Sequence, residues 1–317
     1  MASNENRETS SKKASEDKVN VENLNKPKQA TVDESKKKTD HHLRKLEQAP
    51  HLSRTALAEY ELEDDQLALA TSDQNLLIYD SSKFLLFDNQ LKQTKELEWK
   101  EFDPSGVVTI DDLAYLSCEN SYLILTRSHI YELNVDSFEI KLLKEFSKKD
   151  KSDEEKLEFV SITAYEDHIF IANKDASAVT KWAWKPALQM VNRWTKAKVV
   201  EENDQSILSI RTDGSHVGVL IKGETTTRLE VFDFNLSTRV VHHLEISPTA
   251  TMLTSLANNQ WLVIDSEQRE LYLINEENQI KKTQYKDSSP LNAGRLGNDH
   301  LVIKCQKPNK LQIFQLD

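Results

Sequence analysis

The chain has 317 residues, of which 38% are hydrophobic and 29% charged, enough for one large domain and a tail. Residues 1–50 hold 11 Lys/Arg against 9 Asp/Glu, and the remaining body holds 30 against 43, a balance of −13. An acidic body disfavours a broad phosphate-binding face, which needs clustered Lys/Arg, and leaves room for a local basic strip at most.

Residues 1–50 are rich in Ser, Lys, Glu, Asp and Asn and nearly devoid of aromatics. Such a segment buries too little surface to offset its ordering entropy, so it reads as a disordered tail. Thr39 or Asp40 could cap one short helix through Leu43 and Leu46, ended near Pro50. The basic run Lys36-Lys37-Lys38 reads as a solvated charge cluster or as a nuclear-import signal. The N-terminus carries no apolar signal region, and no run approaches the ~18 apolar residues of a membrane span. The two cysteines, Cys118 and Cys305, sit among apolar residues and read as buried free thiols of a reducing compartment. Together these point to an intracellular protein of the nucleus or cytoplasm with no membrane contact.

From Leu67 the text repeats. Each unit has an apolar strand, a polar turn, a second apolar strand, a second turn and an aromatic-rich third strand. Counted at Gln74, Asn120, Asp167, Gly214, Asn259 and Asp299, the first turns recur every 40–47 residues. A period of ~40–47 with four strands per unit is the mark of a β-propeller. The second strands, such as Tyr122-Leu-Ile-Leu125 and Trp261-Leu-Val-Ile264, suit positions buried on both faces between blades. The fourth strands, such as Leu91–Leu97 and Thr238–Leu244, alternate as outer edges with one wet face do.

Six copies are countable, so the expectation is all-β: one six-bladed propeller over residues 55–317. A seventh, degenerate blade in the links Ser147–Leu157 or Thr195–Gln205 is the alternative. The last copy, ending at Phe314, has three strands. Residues 55–62 can supply the fourth and close the ring.

Chemistry-bearing motifs are few. The six glycines form neither a phosphate loop nor a dinucleotide fingerprint, and the cysteines and histidines show no metal-ligand spacing. No cofactor is implied. His168, His216 and His300 share one slot, the start of a second strand, which indicates a packing or turn role. His242 and His243 are adjacent in a strand and face opposite sides. Asp111-Asp112, at the start of the second blade's inner strand, are the nearest approach to channel-mouth carboxylates, and they read as solvated. Trp182 and Trp184 share one face of a third strand, as inter-blade packing or as a binding platform. No Ser, His and acid assemble into a triad on spacing.

The third-strand endings Phe84-Leu-Leu-Phe-Asp88 and Leu229-Glu-Val-Phe-Asp233 resemble those of WD-repeat propellers. Glu158-Phe-Val-Ser161 followed by Lys181-Trp-Ala-Trp-Lys185 resembles a blade of the non-catalytic WD-repeat subunit of the tRNA guanine-N7 methyltransferase. The next blade, with Ile207-Leu-Ser-Ile210 and Glu224–Phe232, is similar in layout. Leu123–Tyr131 is similar to that family's Ala-Asp-Lys-Ser-Gly-Asp-Val-Tyr segment, whereas the family's Asp-Arg-Asp-Glu-Lys-Ile-Arg motif has no counterpart here. The resemblance implies a scaffold without chemistry of its own that docks a methyltransferase subunit and meets tRNA indirectly or through few contacts. It singles out Arg127, with Trp182 and Trp184, as partner-binding positions. Two other readings stay open: a general adaptor, and a propeller hydrolase or lactonase with a channel-mouth metal.

Overall fold

Short apolar runs separated by polar turns pair with their chain neighbours, and here they build six four-stranded antiparallel sheets. The computed structural model describes residues 55–99, 109–146, 158–174, 178–195, 204–236, 239–244, 252–256, 259–275, 277, 279–286 and 288–316. The 1–50 tail with its Lys36–Lys38 run and capped helix, and nearly all of the two links weighed as a seventh blade, lie outside those residues.

β1 (Ala58–Glu61) belongs to the last sheet. Blade 1 is β2 (Leu69–Thr71), β3 (Asn75–Asp80), β4 (Lys83–Asp88) and β5 (Gln93–Glu98). Blade 2 is β6 (Ile110–Leu116), β7 (Ser121–Thr126), β8 (His129–Asn134) and β9 (Ile140–Glu145). Blade 3 is β10 (Phe159–Tyr165), β11 (His168–Asn173), β12 (Ala178–Ala183) and β13 (Gln189–Thr195). Blade 4 is β14 (Ser206–Thr212), β15 (His216–Lys222), β16 (Thr227–Asp233) and β17 (Arg239–Leu244). Blade 5 is β18 (Met252–Ser255), β19 (Trp261–Asp265), β20 (Glu270–Ile274) and β21 (Ile280–Gln284). Blade 6 is β22 (Ser289–Leu296), β23 (His300–Gln306) and β24 (Lys310–Gln315), completed by β1.

The innermost strands neighbour one another in the cycle β2, β6, β10, β14, β18, β22 and back to β2, so the sheets close into a six-bladed propeller. One apolar cluster fills each junction between blades. Between blades 1 and 2 it holds Leu77, Phe84, Trp99 and Tyr122; between blades 3 and 4, Phe170, Trp194, Ile210 and Val219. The second strands are buried on both sides, as in β7 and β19. That double burial explains their unbroken apolar text.

Two expectations need correction. Cys118 is exposed, because Ser117–Glu119 is a 3-10 turn where the chain reverses beyond the last apolar residue, Leu116; Cys305, inside β23, is buried. β21 is exposed at every residue, so its outer strand is wet on both faces rather than one.

Strand direction alternates, which sorts the turns onto two faces. With strands lettered A to D from the channel outward, the A-to-B and C-to-D turns share one face, here the AB face. The B-to-C turns and the inter-blade links share the other, the BC face.

Candidate binding site at the channel mouth

The A strands border the channel, and their inner edges have no sheet partner. Their buried N–H groups need acceptors from elsewhere. In blades 2, 3, 4 and 6 a β-bulge inserts one residue early in the A strand: Asp111, Val160, Leu208 and Leu291. The residue after each bulge is polar and buried: Asp112, Ser161, Ser209 and Asn292. A bulge re-aims the side chain that follows it, and here those of Asp112, Ser161 and Asn292 reach the neighbouring blade. Ile162 N donates to Asp112 Oδ2 at 2.9 Å, and Ile210 N donates to Ser161 Oγ at 3.1 Å. Asn292 Nδ2 donates to Leu67 O at 2.7 Å.

Asp112 and Ser161 also receive a cation. Arg211 Nη1 donates to Asp112 Oδ2 at 2.7 Å and Nη2 donates to Oδ1 at 2.9 Å. Nη1 also meets Ser161 Oγ at 2.9 Å, and Ser161 Oγ donates to Asp112 Oδ2 at 2.5 Å. The Asp112 side chain is 1% exposed and that of Arg211 13%. The pair therefore ties blade 2 to blade 4 across blade 3. A solvated role for Asp112 does not survive: its carboxylate is fully engaged inside the wall.

Asp111, the bulge residue, is half-buried, with Oδ2 lacking a hydrogen-bond partner. Burial pushes its carboxyl up to about 6, while the positive field of Arg127 works in the opposite direction. Arg127 itself is exposed in the turn between β7 and β8, on the BC face. Trp182 is 8% exposed, donates Nε1–H to Thr180 Oγ1 at 2.9 Å and meets Phe146 edge-on. Trp184 lies just past the end of β12 and is partly buried in the same junction of blades 2 and 3. Both rings thus take part in inter-blade packing, whereas Arg127 is exposed in a turn. His168 and His216 lie against the aspartates of their own turns, with Nδ1 2.8 Å from Asp167 and 3.4 Å from Asp213.

The channel widens toward the AB face into a cavity of about 320 Å³ bordered by all six A strands. Small residues line it, among them Ala70, Ala114, Ala164 and Gly294, with the hydroxyls of Thr71 and Ser255. Asp73, Asp213, Tyr115, Tyr165 and Arg295 stand around its mouth. Tyr165 is 39% exposed, an unusual position for so large a ring, and it is held. A Cβ on Gly214, which has φ +94°, would sit 2.4 Å from the ring, and Phe234 meets the ring edge-on with centroids 6.2 Å apart. Sequence reasoning passed over this mouth. The signal for the wall was the apolar-x-polar-apolar text Ile110-Asp-Asp-Leu113, Phe159-Val-Ser-Ile162 and Ile207-Leu-Ser-Ile210, repeated at one point of each unit. Among the described residues no cluster of His, Cys, Asp and Glu could hold a metal ion, and no helix is long and apolar enough to cross a membrane.

No family model matches the sequence, and no curated protein is similar to it. Solved structures are similar in fold. One chain of a mitotic checkpoint complex is 8% identical over 96% of this chain and 98% of its own, with TM-score 0.58. Virginiamycin B lyase from Staphylococcus aureus is 9% identical over 84% and 100%, with TM-score 0.57. The Cps50 (Swd1) β-propeller domain from Myceliophteria thermophila is 10% identical over 79% and 83%, with TM-score 0.53. At such identities the likeness shows the β-propeller fold, shared here by WD-repeat propellers and a lyase alike.

Proposed function

We propose that this propeller is a protein-interaction scaffold of the WD-repeat type. The observation that carries it is the state of Asp112. This carboxylate of the channel wall already accepts from a backbone N–H, a hydroxyl and both ends of a guanidinium. A group held this way maintains the wall and has no free lone pair directed at a substrate. The channel mouth, by contrast, offers an open cavity with a fixed, partly exposed aromatic ring, the usual makings of an interface anchor. The lyase neighbour supports an enzyme instead, and metal analysis separates the two readings. One tightly bound divalent ion per chain, removable with loss of a hydrolytic or lyase activity, would reject the scaffold.

The finer proposal is that the partner is a methyltransferase subunit modifying guanine in tRNA. Its support is the resemblance carried by Phe159-Val-Ser161 and Trp182-Ala-Trp184. A body with a net charge of −13 repels RNA at long range, so tRNA contact would be confined to local cations such as Arg127. Affinity purification from the native cell with mass spectrometry tests this. A methyltransferase at near-equal stoichiometry, with tRNA 7-methylguanosine falling on depletion, is the expected result. An unchanged modification level and no methyltransferase would leave a scaffold for other proteins.

A further inference from the structure

The described turns of the AB face are predominantly acidic. The described residues of the six A-to-B turns, at 72–74, 117–120, 166–167, 213–215, 256 with 259–260, and 297–299, carry Asp73, Glu119, Glu166, Asp167, Asp213 and Asp299 and no Lys or Arg. The described C-to-D turns on the same face add Asp136, Glu139 and Glu277 against Lys92 and Lys185, and Lys185 Nζ lies 2.7 Å from Glu119 Oε1. Acids therefore outnumber cations in the described turns of the AB face, and two of them, Asp73 and Asp213, line the cavity.

An excess of acids alone specifies nothing, but here two of them line a built feature. The cavity's volume of about 320 Å³ can take one long side chain, and Tyr165, Tyr115, Asp73 and Asp213 are among its lining residues. An ammonium or guanidinium over a tyrosine face gains from the ring quadrupole as well as from the carboxylates. Tyr165 is pinned by Gly214 and Phe234, and the Tyr115 hydroxyl is bonded to Asn120 Oδ1 at 3.1 Å, so little side-chain freedom is lost on binding. Of the two arginines of the cavity, Arg211 is neutralised by Asp112, while Arg295 donates from Nη2 to the neutral Asn298 Oδ1 at 2.8 Å and stands against Asp73 and Asp213.

Resting on the scaffold reading, we propose that the AB face docks a Lys/Arg-rich segment of a protein partner, one of whose cationic side chains enters the channel mouth beside Tyr165.

The test uses the full chain with labelled peptides of alternating Lys and Ser, Arg and Ser, or Glu and Ser, read by fluorescence anisotropy at physiological salt. A basic peptide should bind and the acidic one should not. Tyr165→Ala changes no charge, so it separates a seated side chain from bulk attraction, and it should weaken binding at least ~10-fold. Asp73→Lys should do the same, while Arg127→Glu on the opposite face should leave the affinity unchanged. Wild-type affinity in both AB-face variants overturns the proposal, as does capture of single-stranded RNA in place of the basic peptides. If the peptides fail while a stoichiometric protein partner still co-purifies, the docking face is wrong and the scaffold stands. If both fail, the scaffold reading itself is at fault.

Discussion

Arg211 holds Asp112 with both terminal nitrogens although the two residues are 99 positions apart and a whole blade lies between their strands. Removing one member leaves the other charged, buried and unpaired, which typically costs about 3–5 kcal/mol. Asp112→Ala or Arg211→Ala should therefore lower unfolding stability by that order in a denaturant titration. The joint exchange Asp112→Leu with Arg211→Met should lose far less, because no charge is stranded. Near-additive losses in the double variant would show that the pair is not a unit.

Gly218 in β15 tests the packing between blades 4 and 5. A Cβ there would lie 2.7 Å from the Trp261 ring and 3.0 Å from Leu253 Cδ2. Trp261 is among the largest fully buried side chains, so the ring has nowhere to retreat. Gly218→Ala should destabilise by about 1–3 kcal/mol and shift the tryptophan emission. Unchanged stability and emission would mean that this junction is looser than its geometry indicates.

Asp111 gives the fold a pH dependence. Its folded carboxyl titrates near 6, above its ordinary value of 3.8, with burial as the main cause. A raised carboxylate pKa means that the folded state binds the proton more tightly than the unfolded one. Its contribution is then most favourable at low pH and declines as pH rises from about 4 through about 6. Asp111→Asn should stabilise the protein above about pH 7 and show no advantage below about pH 4. Arg127→Ala should move the Asp111 midpoint, read by carbon NMR, still higher. A midpoint in the ordinary aspartate range would refute the burial argument.

The blades were legible because their signal is periodic and doubly written: apolar runs for strands, and polar turn residues such as Ser72-Asp73 and Asp213-Gly214 at a fixed spacing. The channel wall was half legible. Ser161 and Ser209 recur in matching text, but their burial depends on bulges, and one residue of register decides which way a side chain points. Asp112 looked solvated because its partner, Arg211, lies two repeats downstream, beyond the reach of any local pattern. Tyr165 was invisible for a similar reason. Its exposure depends on Gly214 and Phe234 of the next blade, which meet it only once the ring is formed.

Closure of that ring depends on β1. Ala58 to Glu61 pair with Ile313 to Lys310, and Leu57 N and Leu62 N extend the ladder to Ile313 O and Asn309 O. Tyr60 is the main packing residue of the latch. Its ring meets Phe87 of blade 1 edge-on at 4.7 Å, and its hydroxyl donates to Gln93 Oε1 at 2.9 Å, so β1 bonds to blade 6 and packs on blade 1. Glu59 adds a 3.1 Å contact with Lys310 Nζ and accepts from Gln312. Without β1 the β24 edge would face solvent and the Leu311 and Ile313 side chains would lose their cover. Removing residues 1–54 should leave the thermal midpoint within a few degrees of the intact chain. Removing residues 1–62 should abolish a single cooperative transition and promote association through the open edge. Tyr60→Ala should fall between, losing roughly 1.5–3 kcal/mol from the apolar surface returned to water. Calorimetry of the two truncations side by side decides the matter: equal midpoints with equal cooperativity would mean that the ring holds without its latch.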